Sequence, residues 1–124
     1  MRRAVALAAL VAAFVFLAPL MAGAHSWYSE KRDPVTKKGC CGGSDCAQLV
    51  IEPGMLKGDP LGYRLSLTLE QARKINPSRR TGLDILIPWE RVQPSEDGNF
   101  HLCIPRWDGV VLGDFYCFFA PPST

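Results

Sequence analysis

The stretch GCCGGSDC, residues 39–46, decides how this chain folds, because it holds three of the five cysteines in one glycine-rich segment. Glycine permits positive φ angles, and Ser and Asp side chains favour turns, so the stretch predicts a tight loop. The two other cysteines, Cys103 and Cys117, lie near the far end of the chain. Five cysteines allow two disulfides and one leftover thiol, so this loop controls how the two ends of the fold are joined.

The spacing of the cysteines leaves the disulfide connectivity open. Cys103 and Cys117 are expected in consecutive strands, where a bridge forms naturally if the Cα atoms come within about 7 Å. Cys46 would then pair with Cys40 or Cys41. Alternatively, Cys40 or Cys41 crosses to Cys103 or Cys117 and ties the loop onto the sheet. The leftover thiol is then an inert buried cysteine, an intermolecular disulfide, a soft-metal ligand or a reactive thiol.

The N-terminus predicts a secretory signal peptide over residues 1–24. Two arginines precede an apolar run over residues 4–20, and Ala-Gly-Ala follows at residues 22–24, which is the pattern of a cleaved leader. An uncleaved membrane anchor is the alternative, because the run approaches the ~20 residues of a spanning helix. Pro19 and the small residues favour cleavage, so we expect no stable membrane insertion afterwards.

Cleavage would leave residues 25–124, enough for a single small domain that begins with an arm over residues 25–39. The leader holds two of the 14 basic residues and none of the 12 acidic ones, so the remainder is neutral. A neutral domain gives no indication of a nucleic-acid partner. Short length, export and five cysteines together predict a disulfide-stapled domain in an oxidising compartment, secreted or periplasmic.

Hydrophobic periodicity predicts a mostly β, small α+β domain. Residues 47–51, 63–67, 99–104 and 110–119 read as strands, as does the apolar stretch 83–92, which Pro88 makes an edge strand or two short ones. Thr68 and Gln71 have the spacing of a capping box, so one short helix is expected over residues 69–76. The prediction is an antiparallel sheet of about four to five strands with one short helix.

The two histidines suggest a metal site. Cleavage after Ala24 would make His25 the first residue, whose α-amine and ring nitrogen can chelate one metal ion, and copper suits such ligands. His101 lies on the same face of its predicted strand as Cys103, so it is the candidate for a third nitrogen. The alternative places His101 on the solvent face with no ligand role. Further candidates near this site are Trp27, Tyr28 and Asp45.

Motifs of other chemistry are missing from the sequence. No G-x-S-x-G, H-E-x-x-H, phosphate loop or C-x-x-C occurs, which argues against an enzyme. Arg79 and Arg80 are expected as solvated loop charges. The aromatics of residues 115–119 are expected as core, and some of them are expected to contact the arm of Trp27 and Tyr28 or a partner. The leading hypothesis is therefore a non-enzymatic binding protein. The alternative is a structural or interaction module with cysteines as staples, and a third is a thiol–disulfide redox protein.

Four short motifs resemble a set of small exported bacterial cysteine-rich proteins. They are HSWY at residues 25–28, CCGGSDC at 40–46, SEDGNFHLC at 95–103 and CFFAP at 117–121. The resemblance covers most of the chain after the leader. It implies secretion and a shared disulfide framework, and it supplies no activity.

Overall fold

The computed structural model describes residues 27–40, 45–105 and 115–122. Within these ranges the chain forms seven short strands in two sheets and one α-helix, which confirms the predicted mostly β, small α+β class. The strands are β1 (Cys46–Gln48), β2 (Leu56–Asp59), β3 (Gly62–Leu67), β4 (Leu83–Pro88), β5 (Val92–Pro94), β6 (His101–Cys103) and β7 (Cys117–Ala120). The helix is α1 (Leu69–Ile75), and 3-10 turns cover Trp27–Glu30 and Trp89–Arg91. The predicted leader, residues 1–24, lies outside the described residues.

The first sheet is antiparallel, in the order β2-β3-β4. Along β3 and β4 alternate side chains are buried, as the period-2 pattern predicts for strands with one wet face. Strand β2 was not expected, because Lys57 and Gly58 resemble a turn in the sequence; the turn itself is confined to Pro60 and Leu61. Gly62 begins β3 where a Cβ would overlap the carbonyl oxygen of Ile87, so the neighbouring strand requires glycine there.

Helix α1 follows β3 directly and has the predicted capping box. The Thr68 hydroxyl accepts from the backbone N–H of Gln71 at 3.2 Å, and the Gln71 side chain accepts from the N–H of Thr68 at 2.9 Å. The helix buries Ala72 and Ile75 and ends before Pro77. Its apolar face thereby closes one side of the core.

The second sheet has the order β1-β6-β7-β5, with β5 parallel to β7 and the other pairs antiparallel. One sheet was expected and two are observed. The reason is the 3-10 turn after Pro88, which ends β4 at the edge of the first sheet and starts β5 at the edge of the second. The turn signal at Asp97-Gly98 does not make a simple hairpin, because β7 lies between β5 and β6.

The main core lies between the two sheets and α1. It is made of aliphatic side chains from the first sheet and helix and of alternate residues from the second sheet. Its fully buried members are Leu65, Ala72, Ile87, Leu102, Ile104 and Phe118. All four residues of β7 are buried, which leaves no exposed apolar surface on this strand for a partner.

Arg79 corrects one expectation from the sequence. It is 1% exposed rather than solvated, and its guanidinium donates to the carbonyl oxygens of Thr81, Gly82 and Pro105 at 3.0–3.2 Å. A guanidinium has five donors in a fixed plane, so it can satisfy several carbonyls at once. Arg79 therefore ties the segment after α1 to the end of β6.

Candidate functional site

The candidate site lies on the face of the second sheet that points away from the main core, called here the outer face. Because strand residues alternate between faces, Leu102 and Phe118 point into the core while their neighbours point outward. The register aligns Cys103 with Cys117 and His101 with Phe119 across β6 and β7. This confirms that His101 and Cys103 share one face.

Residues 27–40 cover this outer face. They comprise the described part of the predicted arm, residues 27–39, together with Cys40, and are called the arm below. The ring of Trp27 lies 5.0 Å from the His101 ring and 4.9 Å from the Phe119 ring, both edge-on. Tyr28 lies 5.4 Å from His101 and 6.0 Å from Phe119. Edge-to-face and stacked arrangements at these distances are favourable. The expectation that aromatics near the C-terminus cover the arm is confirmed for Phe119.

A buried ion pair holds the middle of the arm. The Asp33 side chain is fully buried, and its carboxylate accepts from the backbone N–H groups of Val35 and Thr36 and from Arg91 Nε at 2.7–2.9 Å. Burial raises the pKa of the Asp33 carboxyl, but the hydrogen bonds from Thr36, Arg91 and Val35 outweigh burial, so the pKa lies below its ordinary value. Arg91 also stacks on the ring of Phe115, with its guanidinium carbon 3.7 Å from the centroid.

Two disulfides fix the end of the arm and the edge of the sheet. Cys40 is bonded to Cys117 and Cys46 to Cys103, with sequence separations of 77 and 57. The expected Cys103–Cys117 bridge is wrong: the two are neighbours in register, but Cys103 bonds to Cys46, its register partner on β1, and Cys117 bonds to Cys40 at the end of the arm. The crossing of Cys40 to Cys117 agrees with the alternative connectivity.

The disulfides contribute to stability because they close long loops. Taken singly, each of these loops corresponds to about 4 kcal/mol in the chain-entropy account. Two disulfides in a small domain are typical of proteins in oxidising compartments. The fifth cysteine, Cys41, lies outside the described residues.

His101 is the chemically distinctive residue of the outer face. It is 5% exposed, so the solvent-face alternative for this histidine is wrong. Its Nε2 lies 2.8 Å from both carboxylate oxygens of Asp97, which is on the turn four residues earlier. The same Asp97 carboxylate accepts from the N–H of Asn99 at 3.0 Å, so the turn itself orients the carboxylate.

The charge of Asp97 sets the tautomer of His101. The N–H of Asn99 and then the hydrogen bond to His101 hold the pKa of the Asp97 carboxyl below its ordinary value. An ionised carboxylate only accepts hydrogen bonds, so Nε2 of His101 carries the hydrogen and donates it. In the neutral imidazole the lone pair is then on Nδ1.

Nδ1 of His101 is buried and has no hydrogen-bond partner among the described residues. A buried polar atom without a partner is costly, so natural proteins seldom keep one without a reason. A histidine whose one nitrogen donates to a carboxylate while the other is unpartnered has the usual arrangement of a metal ligand. The described outer face thus presents one oriented nitrogen donor beneath Trp27 and Tyr28.

The other predicted site residues are only partly placed. His25 lies outside the described residues, Trp27 and Tyr28 adjoin His101, and Cys103 is bonded to Cys46. Within the described ranges, no group of three or more His, Cys, Asp or Glu side chains has the arrangement to hold a metal.

Asp97 was missed in the sequence, where Asp-Gly reads only as a turn. No local signal identifies it, because the distance from Asp97 to His101 depends on how the turn folds back. A charged carboxylate beside a buried imidazole indicates a functional site, and the two groups are adjacent only after the turn has folded.

A separate groove of about 190 Å³ lies between β1 and α1. Buried Leu49, Met55 and Ile75 form its floor, and Glu52 and Gln71, hydrogen-bonded at 2.7 Å, lie at its rim. The volume is below the range of about 300–1,000 Å³ that is usual for small-molecule sites. It is thus a weaker candidate than the outer face.

None of the helices in the described part of the chain has the length and apolar character needed to span a membrane. No protein-family model, curated protein or solved structure matches the chain.

Proposed function

We propose that this chain is a small exported, non-enzymatic protein that binds a transition-metal ion through His101 and His25. Copper is the leading candidate for this metal. One observation carries the proposal: Asp97 holds Nε2 of His101, while Nδ1 is buried without a partner among the described residues. Imidazole nitrogen suits copper, and the carboxylate behind it increases the basicity of the ligating nitrogen.

The position of His25 in the sequence supports its role as the second ligand residue. It precedes Trp27 by two residues, so the Cα atoms of the two residues are separated by about 7 Å at most. The ring of Trp27 is itself 5.0 Å from the ring of His101. If the leader is removed after Ala24, the α-amine of His25 becomes a further nitrogen ligand on the same residue.

The two disulfides and the N-terminal sequence support a periplasmic or secreted location. Disulfides persist where thiols are oxidised, and the leader-like N-terminus and the resemblance to exported cysteine-rich proteins point to the same compartment. Carriage or storage of the metal fits a domain of this size better than catalysis on a large substrate.

Calorimetric titration with copper tests the proposal on protein processed after Ala24, with its N-terminus verified by mass spectrometry. We expect one copper per chain, with binding strongly weakened in His101→Gln and in a variant with one alanine added before His25. The added alanine moves the α-amine away from the ring of His25 and leaves the described fold untouched.

Asp97→Asn distinguishes a ligand supported by Asp97 from a merely structural histidine. An amide is a weaker acceptor than a carboxylate, so copper affinity should fall by roughly 10–100-fold. Asp59→Asn is the matched control, because Asp59 also accepts from a backbone N–H and from a basic side chain, at a remote turn. Unchanged affinity in the extended protein, His101→Gln and Asp97→Asn would overturn a site at His25 and His101. No copper binding by the processed wild type would overturn the metal proposal and leave the cysteine-stapled interaction module.

A further inference from the structure

The four bonded cysteines form one compact group rather than two separate staples. Cys103 and Cys117 are direct partners on adjacent antiparallel strands. On the other side of the group, Sγ of Cys46 lies 3.2 Å from the carbonyl oxygen of Cys40. A disulfide sulfur carries no hydrogen, so this is a contact that measures how close Cys40 and Cys46 are.

This arrangement allows a second disulfide pairing, Cys103 with Cys117, while strands β6 and β7 stay paired. Side chains directly opposite each other on an antiparallel pair have Cβ atoms about 4.5–5.5 Å apart, close to the range of disulfides. Strands β6 and β7 already hold Cys103 and Cys117 at that position. The two cysteines can therefore bond to each other once either is released from its present partner.

Access to the group is uneven. Cys40, Cys103 and Cys117 are 0% exposed, whereas Cys46, on the edge strand β1, is partly exposed. An external thiolate must reach a disulfide sulfur to attack it, and access is one of the factors that set the rate. Cys46 is the one residue of the four with exposed surface, so we expect attack to begin at its sulfur.

We propose that the four cysteines form a thiol–disulfide exchange site that oxidises a dithiol, begins at Cys46, and ends with a new Cys103–Cys117 disulfide. This activity is independent of metal binding. It needs no activated cysteine in the protein for the first step, because the attacking thiolate belongs to the dithiol.

The steps balance as a two-electron transfer. A thiolate of the dithiol attacks Cys46, the Cys46–Cys103 bond breaks, and Cys103 leaves as a thiolate. The second thiolate of the dithiol then attacks the substrate sulfur that is bonded to Cys46. This closes the substrate disulfide and releases Cys46 as a thiolate. The Cys103 thiolate attacks Cys117, breaks the Cys40–Cys117 bond and releases Cys40. The two protons of the dithiol end on Cys40 and Cys46.

The new pairing is favoured over retention of Cys40–Cys117. The sequence separation of Cys103 and Cys117 is 14 residues, whereas that of Cys40 and Cys117 is 77 residues. Loop-closure entropy alone favours the shorter loop by roughly tenfold wherever the arm is free to leave the sheet. Backbone pairing of β6 with β7 adds to this preference because it persists when the arm leaves.

Stepwise reduction and mapping of the native protein test the proposal. Thiols accessible at the start are blocked with N-ethylmaleimide, a chelator removes trace metal, and one equivalent of dithiothreitol is added. After an acid quench, a second alkylating label and peptide mass spectrometry identify the reduced cysteines. We expect labels on Cys40 and Cys46 and a retained Cys103–Cys117 disulfide, in wild type and in Cys41→Ser alike.

The paired variant Cys40→Ser/Cys117→Ser serves as the matched control. It keeps only the Cys46–Cys103 bond, so its labels should fall on Cys46 and Cys103. The same two labels in the wild type, with Cys40–Cys117 retained, would overturn the proposal. Simultaneous labelling of all four cysteines would also overturn it, because it would show reduction only through global unfolding.

Discussion

Replacement of Asp33 by asparagine tests whether a buried ion pair holds the arm to the body. Asparagine keeps an oxygen that can accept from Val35 and Thr36, so the local turn persists. The change removes the negative charge opposite Arg91, whose Nε lies 2.7 Å from Asp33 Oδ2. The perturbation therefore isolates charge pairing from turn formation.

The magnitude follows from burial of both partners. The Asp33 side chain is 0% exposed and that of Arg91 is 11% exposed, so solvent cannot replace the lost carboxylate. Removal of one partner of a buried pair typically costs 3–5 kcal/mol. Arg91 keeps the carbonyl oxygens of Phe115 and Tyr116 as acceptors, which places the expected loss at the lower end, about 3 kcal/mol.

Urea unfolding with both disulfides intact, followed by circular dichroism, measures this loss. With a slope of about 1–1.5 kcal/mol per M, the midpoint should fall by roughly 2–3 M. Asp59→Asn is the matched control, because Asp59 accepts from Leu61 N–H at Oδ1 and from Arg64 Nε at Oδ2 in an exposed setting. Water screens that pair, so its loss should be a small fraction of the other. Equal midpoints for the two variants would refute the argument from burial.

Two further predictions concern pH and a single glycine. Because the folded-state pKa of Asp33 lies below its ordinary value of 3.8, the pair stabilises the fold above that pH and loses this effect as pH falls through the lower, folded-state pKa. The stability difference between wild type and Asp33→Asn, from urea curves, should be constant between about pH 7 and 5 and shrink below about pH 4; a constant difference down to about pH 2 would contradict it. Gly62→Ala should destabilise the protein by roughly 1–3 kcal/mol or more, because its Cβ would overlap the Ile87 carbonyl, whereas at Gly58 a Cβ meets nothing within 4 Å. Thermal unfolding of Gly62→Ala and Gly58→Ala checks this. Comparable melting temperatures would contradict the prediction, because they would show that β3 and β4 accommodate the added Cβ without loss of stability.

The parts of the fold that the sequence predicts are those set by neighbouring residues. The capping box of Thr68 and Gln71 and the alternation along β3 are local, and both are observed. The split into two sheets is not local. It depends on where the chain goes after Pro88, and a 3-10 turn of three residues takes β5 to a different sheet from β4. Periodicity identifies strands and cannot say which strands pair.

The site was predictable to a similar extent. Strand alternation correctly places His101 and Cys103 on one face, and it equally suggests that Cys103 and Cys117 bond to each other. The bond of Cys103 to Cys46 depends on β1 pairing with β6, and the bond of Cys117 to Cys40 depends on the arm covering that face; both are long-range contacts. Asp97 was missed for the same reason, since its contact with His101 exists only after the turn has folded.

The covalent and charged attachments of the arm to the body weaken toward the N-terminus, and this order separates the two proposed activities. Cys40 is held covalently and Asp33 by a buried ion pair, whereas Lys31 makes an exposed pair with Glu96 at 2.9 Å. Exposed pairs contribute little, so the turn that carries Trp27, which packs through ring contacts with His101 and Phe119, should open more readily than the part of the arm held by the disulfide and the buried ion pair. A metal ion can then reach His101 by local opening at that end, while the disulfides remain closed. Copper binding should therefore not require reduction of the Cys46–Cys103 disulfide. It should be observed in the fully oxidised protein, before any dithiothreitol treatment.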